Sequence, residues 1–295
     1  MSAGPGTTRS ASRPEATRLA TIRTADGTRA VRIDGSGSTG TAVDLGAGDL
    51  GEFLARPDWR SQAATTTGVA YPLEGVEYAT LIPRPEKVLC VGLNYRTHIQ
   101  EMGRELPEYP TLFGKFARSL ISAHDPVMLP AGSQMVDWEA ELGVVIGAPI
   151  RHADPDQARA AIAGYTVVND VSARDFQNRT LQWLQGKMFE AATPVGPWMV
   201  VREDGDPAPT GEISCTVDGE QMQRSDVGDL VFDTVTLVQY ISSIITLVPG
   251  DLISTGTPGG VGAARKPPRW LVAGSEMVTR IEGIGECRNM CVAEG

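Results

Sequence analysis

Trp138-Glu-Ala-Glu-Leu-Gly-Val-Val-Ile146 reads as a β-strand that is apolar apart from two glutamates. Side chains two residues apart share a face of a strand, so Glu139 and Glu141 project together while Trp138, Ala140 and Leu142 face the other way. Two carboxylates on one face of so apolar a strand repel each other and are poorly solvated. A divalent cation resolves that conflict, and hard oxygen donors suit Mg²⁺, Mn²⁺ or Ca²⁺. The plainer alternative is a half-exposed edge strand whose glutamates sit in water. A second apolar strand, Tyr165-Thr-Val-Val-Asn-Asp-Val171, carries Asp170 near its end, a third carboxylate that with waters completes a magnesium-like shell. Arg174, Asp175 and Gln177 follow at its exit, where binding loops commonly sit.

The chain has 3 histidines. His98 precedes Glu101 by one helical turn, so the two side chains can meet and the carboxylate can orient the imidazole as a general base for water. A structural role is the alternative for His98, and it is the role assigned to His124 and His152, which have no such neighbour. Lys187, in Gln185-Gly-Lys-Met-Phe-Glu190, reads from spacing alone as a surface lysine. The other reading is a pocket cation that stabilises an enolate or carboxylate. Thr255-Gly-Thr-Pro-Gly-Gly-Val-Gly262 lacks both the Gly-Lys-Ser/Thr ending of a P-loop and the glycine spacing of a dinucleotide fingerprint. It reads either as a tight turn or as a loop whose free N–H groups and Thr257 hold a substrate carboxylate.

The 295 residues carry 26 Lys and Arg against 36 Asp and Glu, a net charge of −10. So acidic a chain, with no basic run, is repelled by phosphate backbones, which argues against nucleic acid as a partner. Residues 1–18 are rich in Ser, Thr, Gly, Ala and Pro, lack the apolar centre of a secretory leader, and read as a disordered tail. No stretch reaches the about 18 apolar residues of a membrane span. The most apolar one, residues 235–248, is interrupted by Thr236, Gln239, Ser242 and Ser243 at helical spacing, the pattern of a buried amphipathic helix. Cys90, Cys215, Cys287 and Cys291 read as reduced and structural, since no second pair completes a zinc site beside the last two. A cytoplasmic location is expected.

Residues 19–80 read as a small N-terminal α/β module: a hairpin of residues 19–23 and 30–33 about Ala25-Asp-Gly27, a strand at 43–45 and a short helix at 50–54. Pro83-Arg-Pro85 punctuates the chain before a second domain over 81–295. Strands are expected there at 88–92, 128–129, 138–146, 165–171, 198–201, 213–217 and 252–254. A helix is expected at 155–163, with Asp154 as cap and Gly164 as stop. Strands outnumber helices without alternating with them, so the fold class is α+β, predominantly β.

Six stretches in this order resemble the fumarylacetoacetate hydrolase family over residues 85–293. They are Gly92-Leu-Asn-Tyr95 with His98 and Glu101-Met-Gly103, then Asp137-Trp-Glu-Ala-Glu-Leu142, then Gly164-Tyr-Thr-Val-Val-Asn-Asp-Val-Ser-Ala-Arg-Asp175. Gly186-Lys187 with Pro194-Val-Gly-Pro197, Pro249-Gly-Asp251, and Thr255-Gly-Thr-Pro258 with Gly260-Val-Gly262 complete the set. The resemblance implies a mixed β-roll or twisted β-barrel catalytic domain, a homodimer, a small-molecule substrate and a divalent cation, Mg²⁺ or Mn²⁺. It puts Glu139, Glu141 and Asp170 at metal-ligand positions and His98 with Glu101 at a water-activating dyad. Lys187, Arg174, Gln177 and Thr257 fall at positions that contact or polarise substrate. The activity it implies is hydrolysis of a C–C bond in acylpyruvate or fumarylacetoacetate-like 1,3-diketo acids through a metal-stabilised enolate. The same enolate chemistry without attack by water gives decarboxylation or isomerisation of 2-oxo and 2-hydroxy-dienoic diacids, of oxaloacetate or 2-hydroxyhepta-2,4-diene-1,7-dioate type. The His98–Glu101 pair favours hydrolysis over these. A non-catalytic binding protein on the same fold is the third reading.

Overall fold

In the computed structural model, which describes residues 16–101 and 103–295 apart from the side chains of Ser38 and Glu101, the Ala140–Ile146 strand is central and all 7 of its residues are buried. It runs antiparallel between Ile162–Asn169 and Leu252–Ser254. Cover on both faces accounts for its near-continuous apolar sequence and removes the edge-strand alternative. Ala140 lies opposite Asn169, so Glu139, one residue before its strand, and Asp170, one residue after its own, emerge side by side. The Asp170 N–H donates to the Glu139 carbonyl at 2.8 Å.

The sheet holding these strands has 12 members. It runs from Ala70–Pro72 through Thr41–Asp44, Gly27–Asp34, Arg18–Thr24, Thr193–Val201 and Ile162–Asn169 to the central strand. It continues through Leu252–Ser254 and Val88–Gly92 to Thr111–Lys115. Glu77–Tyr78 and Leu120–Ile121 pair off this path. The pairing of Leu252–Ser254 with Val88–Gly92 is parallel, which makes the sheet mixed. Its order is open at both ends, so the expected roll takes the form of an open mixed sheet packed against a second, 5-stranded sheet that ends in Gly285–Ala293 and Val127–Leu129. Trp138, Leu142, Val144, Ile213, Met277 and Cys287 fill the core cluster that both sheets contribute to. Architecture is therefore predominantly β, as the strand pattern predicts.

The N-terminal hairpin forms as expected, Arg18–Thr24 with Gly27–Asp34, and its first strand pairs with Thr193–Val201 at Arg18 opposite Val200. The strands of residues 19–80 thus belong to the same 12-stranded sheet as the central strand. Residues 1–15 of the expected tail lie outside the described residues, and Arg18 opens a strand. Asp154 caps the Pro155–Ala161 helix through a capping box with Gln157. That helix stops two residues before the expected end because the chain enters a strand at Ile162. Gly164 therefore belongs to the strand, not to a helix stop: a Cβ there would lie 2.1 Å from the Val200 carbonyl oxygen, so the residue permits close strand approach. The amphipathic helix spans Thr234–Ile244, capped by Asp233 and burying Val235, Leu237, Val238 and Ile241. All four cysteines are free and buried. Among the described residues no helix is long and apolar enough to cross a membrane.

Candidate active site

Glu139, Glu141 and Asp170 converge as the strand geometry requires: one oxygen from each carboxylate lies within 4.8 Å of the others, and all three are buried. The Ser254 hydroxyl and the Gly256 N–H donate to Glu141 Oε2 at 2.6 and 2.8 Å. Lys187 Nζ stands 2.7 Å from both Glu139 Oε2 and Asp170 Oδ2. Arg174 contacts Glu139 Oε1 at 2.6 Å through one terminal nitrogen and donates from Nε to Asp137 Oδ2 at 2.8 Å. Lys115 approaches Asp170 from the other side, its Nζ 2.8 Å from Oδ1.

These groups perturb one another in opposite directions. Burial first, then the charges of Asp170 and Glu139, push the Glu141 carboxyl well above the ordinary carboxylate range. Burial also opposes ionisation of Asp170, but Lys115 and Lys187 outweigh it and hold that carboxyl below its usual value. Lys187 is raised above an ordinary lysine, because Asp170 and Glu139 overcome the penalty of burial.

The donor set fits a hard divalent cation. Four buried acids, Asp137, Glu139, Glu141 and Asp170, face the three cations Lys115, Lys187 and Arg174, one acid more than the cations can pair. The buried Asp170 Oδ1, although close to Lys115, has no aligned hydrogen bond and keeps lone pairs in reserve. Glu139, Glu141 and Asp170 would hold the ion.

Glu139, Glu141, Arg174 and Lys187 line a cavity of about 450 Å³ whose wall includes His98, Gln177 and Thr257. All sequence-predicted candidates except Asp170 and Glu101 appear on that wall, and Asp170 joins through Lys187. The Glu101 side chain lies outside the described residues, so its pairing with His98 does too. His98 is half-buried on the Arg96–Glu101 helix. Lys187 is 2% exposed, and the surface reading fails because the short Leu184–Lys187 helix turns its last residue inward onto two carboxylates. Gln177 accepts from Arg174 at 2.9 Å. Thr257 donates to the Ala140 carbonyl and accepts from Gln223, while the N–H groups of Gly256, Gly262 and Ala263 are taken by Glu141 and Asp137. The glycine-rich loop therefore serves chiefly to position carboxylates.

Sequence reasoning missed Lys115, Asp137 and Ser254 as members of the site. Lys115 ends an apolar strand and looks there like any terminal polar residue. Asp137 adjoins Trp138, and its position immediately before two paired glutamates was the available signal.

Residues 87–292 match the family described as Fumarylacetoacetate (FAA) hydrolase C-terminal. Oxaloacetate tautomerase Fahd2a, mitochondrial, of Rattus norvegicus is 40% identical over 268 residues, 87% of this chain and 86% of the relative. The solved structure of a 5-carboxymethyl-2-hydroxymuconate delta-isomerase from Mycobacterium smegmatis superposes with a TM-score of 0.80 at 35% identity, covering 94% of this chain and 100% of that one. A fumarylacetoacetate hydrolase from Exiguobacterium antarcticum gives 0.82 at 30% identity, with 94% and 100% covered.

Proposed function

The chain belongs to the fumarylacetoacetate hydrolase family, and on that footing we propose that it is a divalent-metal-dependent isomerase exchanging the keto and enol forms of a 2-oxo diacid of oxaloacetate type. The observation that carries this reading is the buried Glu139–Glu141–Asp170 trio beside Lys187 in a chain 40% identical to an oxaloacetate tautomerase. Names of the relatives back isomerisation better than the C–C hydrolysis expected from the sequence.

A divalent cation, Mg²⁺ or Mn²⁺, bound by Glu139, Glu141 and Asp170 would supply Lewis-acid stabilisation of charge on the substrate's oxygens. Arg174, fixed between Asp137 and Glu139, presents its remaining edge to a substrate carboxylate, with Gln177 and Thr257 beside it. Lys187, kept charged by its carboxylate partners, stabilises negative charge developing at the keto oxygen. His98, on the cavity wall, takes the proton from the carbon next to the keto group and returns it to oxygen, so the C–H bond breaks as an O–H bond forms. Burial of the trio keeps bulk water from competing for the same proton.

Hydrolysis of acylpyruvates is the second reading, favoured by the position of His98 on the cavity wall, where it could activate a water. One assay separates the two. Relaxation of the oxaloacetate enol absorbance is followed with Mn²⁺, alongside acetylpyruvate consumption and CO₂ release. Faster enol–keto exchange, abolished by EDTA and by Glu139→Gln, with acetylpyruvate untouched, is the expected result. Consumption of acetylpyruvate without faster exchange hands the site to hydrolysis, and CO₂ release alone hands it to decarboxylation.

A further inference from the structure

Three arginine or lysine residues line the cavity: the exposed Arg104, and Arg174 and Lys187. Two of them are committed, Arg174 to Asp137 and Glu139, and Lys187 to Glu139 and Asp170. Arg104 is different. Among the described residues its guanidinium makes no ion pair and no hydrogen bond, although it borders the same cavity as the carboxylate trio. The chain around it accounts for that placement: Gly103, with φ 67°, ends the turn after the Arg96–Glu101 helix, and the Arg104 N–H closes on the Ile99 carbonyl at 3.2 Å. This left-handed turn folds residue 104 back onto the cavity instead of letting the chain run on. Phe113, Trp183 and Val261 supply apolar wall to the same cavity.

We propose that Arg104 is the specificity-determining residue that reads a second, distal carboxylate, so that the site selects diacids over monoacids of the same skeleton. This deepens the isomerase reading and rests on it for the placement of the first carboxylate near Arg174 and the trio. The charge balance supports it. The chain carries a net charge of −10, and the cavity also holds Glu139 and Glu141, so a dianion entering it needs a positive group not already neutralised. Arg104 is that group among the described residues. Its planar fork suits a carboxylate in a bidentate pair, and a methyl group in the carboxylate's place would leave the guanidinium's donors to water.

The test uses two unreactive ligands on one carbon skeleton, malate and 2-hydroxybutyrate, which differ only in the distal carboxylate. Binding is measured by calorimetry on the Mn²⁺-loaded full chain and on its Arg104→Met and Arg104→Lys variants. The native protein is expected to bind malate about tenfold tighter than 2-hydroxybutyrate, the order of one charge-assisted pair at a partly exposed site. Arg104→Met should bring the two ligands to parity by weakening malate alone, and Arg104→Lys should keep part of the preference. With oxaloacetate, Arg104→Met should raise KM while leaving kcat near the native value. Equal binding by the native protein, or a methionine variant that weakens both ligands alike or neither, overturns the proposal. A native protein that prefers malate through Arg104 yet does not speed enol–keto exchange sinks the reaction and leaves this assignment standing. Rapid exchange with no Arg104 dependence does the reverse.

Discussion

Lys115 Nζ and Asp170 Oδ1 form a 2.8 Å ion pair in which the two side chains are 1% and 0% exposed. Lys115 also donates to the Thr193 hydroxyl at 2.8 Å and to the Val171 carbonyl at 3.1 Å, so its ammonium is held on three sides. Breaking a buried pair strands a charge, which is more damaging than never having built the pair. Lys115→Met should therefore lower stability by about 3–5 kcal/mol in the cation-free protein, read from denaturant unfolding. Added Mn²⁺ should recover part of the loss, because it gives Asp170 a new counter-charge. A variant as stable as the native protein would show that Asp170 needs no help from this side.

Glu141→Gln separates folding from cation binding. Glutamine keeps the shape of the side chain and removes its repulsion with Asp170 and Glu139, so the cation-free variant should unfold at or above the native temperature. The native protein should gain about 2.7 kcal/mol with Mn²⁺ at a hundredfold over its Kd, and the variant should gain far less. Calorimetric scans with and without Mn²⁺ read both effects. An undiminished gain would remove Glu141 from the ligand set.

Asp137 is a positioning residue. One of its oxygens accepts from the Trp138 and Gly262 N–H groups at 2.9 and 2.6 Å, and the other from Ala263 N–H and Arg174 Nε at 3.0 and 2.8 Å. Asp137→Asn turns part of that acceptor set into a donor and releases Arg174. Partners behind metal ligands commonly account for about 10–100-fold in metal affinity or activity, and a loss in that range is expected here. It should fall on Mn²⁺ affinity as well as turnover, since Arg174 also contacts Glu139. A change in unfolding temperature without change in either would assign Asp137 to the loop alone.

The cysteines give a prediction independent of the site. Burial pushes the Cys215 and Cys291 thiols up to about 12 and raises Cys90 and Cys287 as well. At neutral pH all four are thiols shielded from reagent. A colorimetric disulfide reagent should find almost none in the native protein and all 4 in guanidinium. Rapid native reaction would place at least one thiol in a region that opens easily.

The Ala140–Ile146 strand was legible from its sequence, as were the N-terminal hairpin, the helix capped by Asp154, the amphipathic helix, which ends at Ile244 rather than 248, and the three carboxylates that converge. Period-two spacing and apolar content are local signals, and they survive in the folded chain. What stayed hidden depends on long-range pairing. Lys115 lies 55 positions from Asp170, and nothing near it reports that the chain returns. Lys187 reads from spacing alone as a surface residue, because spacing records no contact with the trio, and only the family resemblance draws it into the site. The strands Glu276–Ile281 and Gly285–Ala293 passed unnoticed because their buried positions include Thr279, Cys287, Asn289 and Cys291 and make no run of large apolar residues.

The pairing of Ala140 with Asn169 brings Glu139 and Asp170 together, and the same seam seats Leu142 and Val144 in the core. A slip of one residue would exchange the two faces of Ala140–Ile146 and part the two acids in a single step. Chemistry and cohesion therefore fail together there. A chain that mispairs along this seam becomes inert, and does not persist as a working catalyst with altered selectivity.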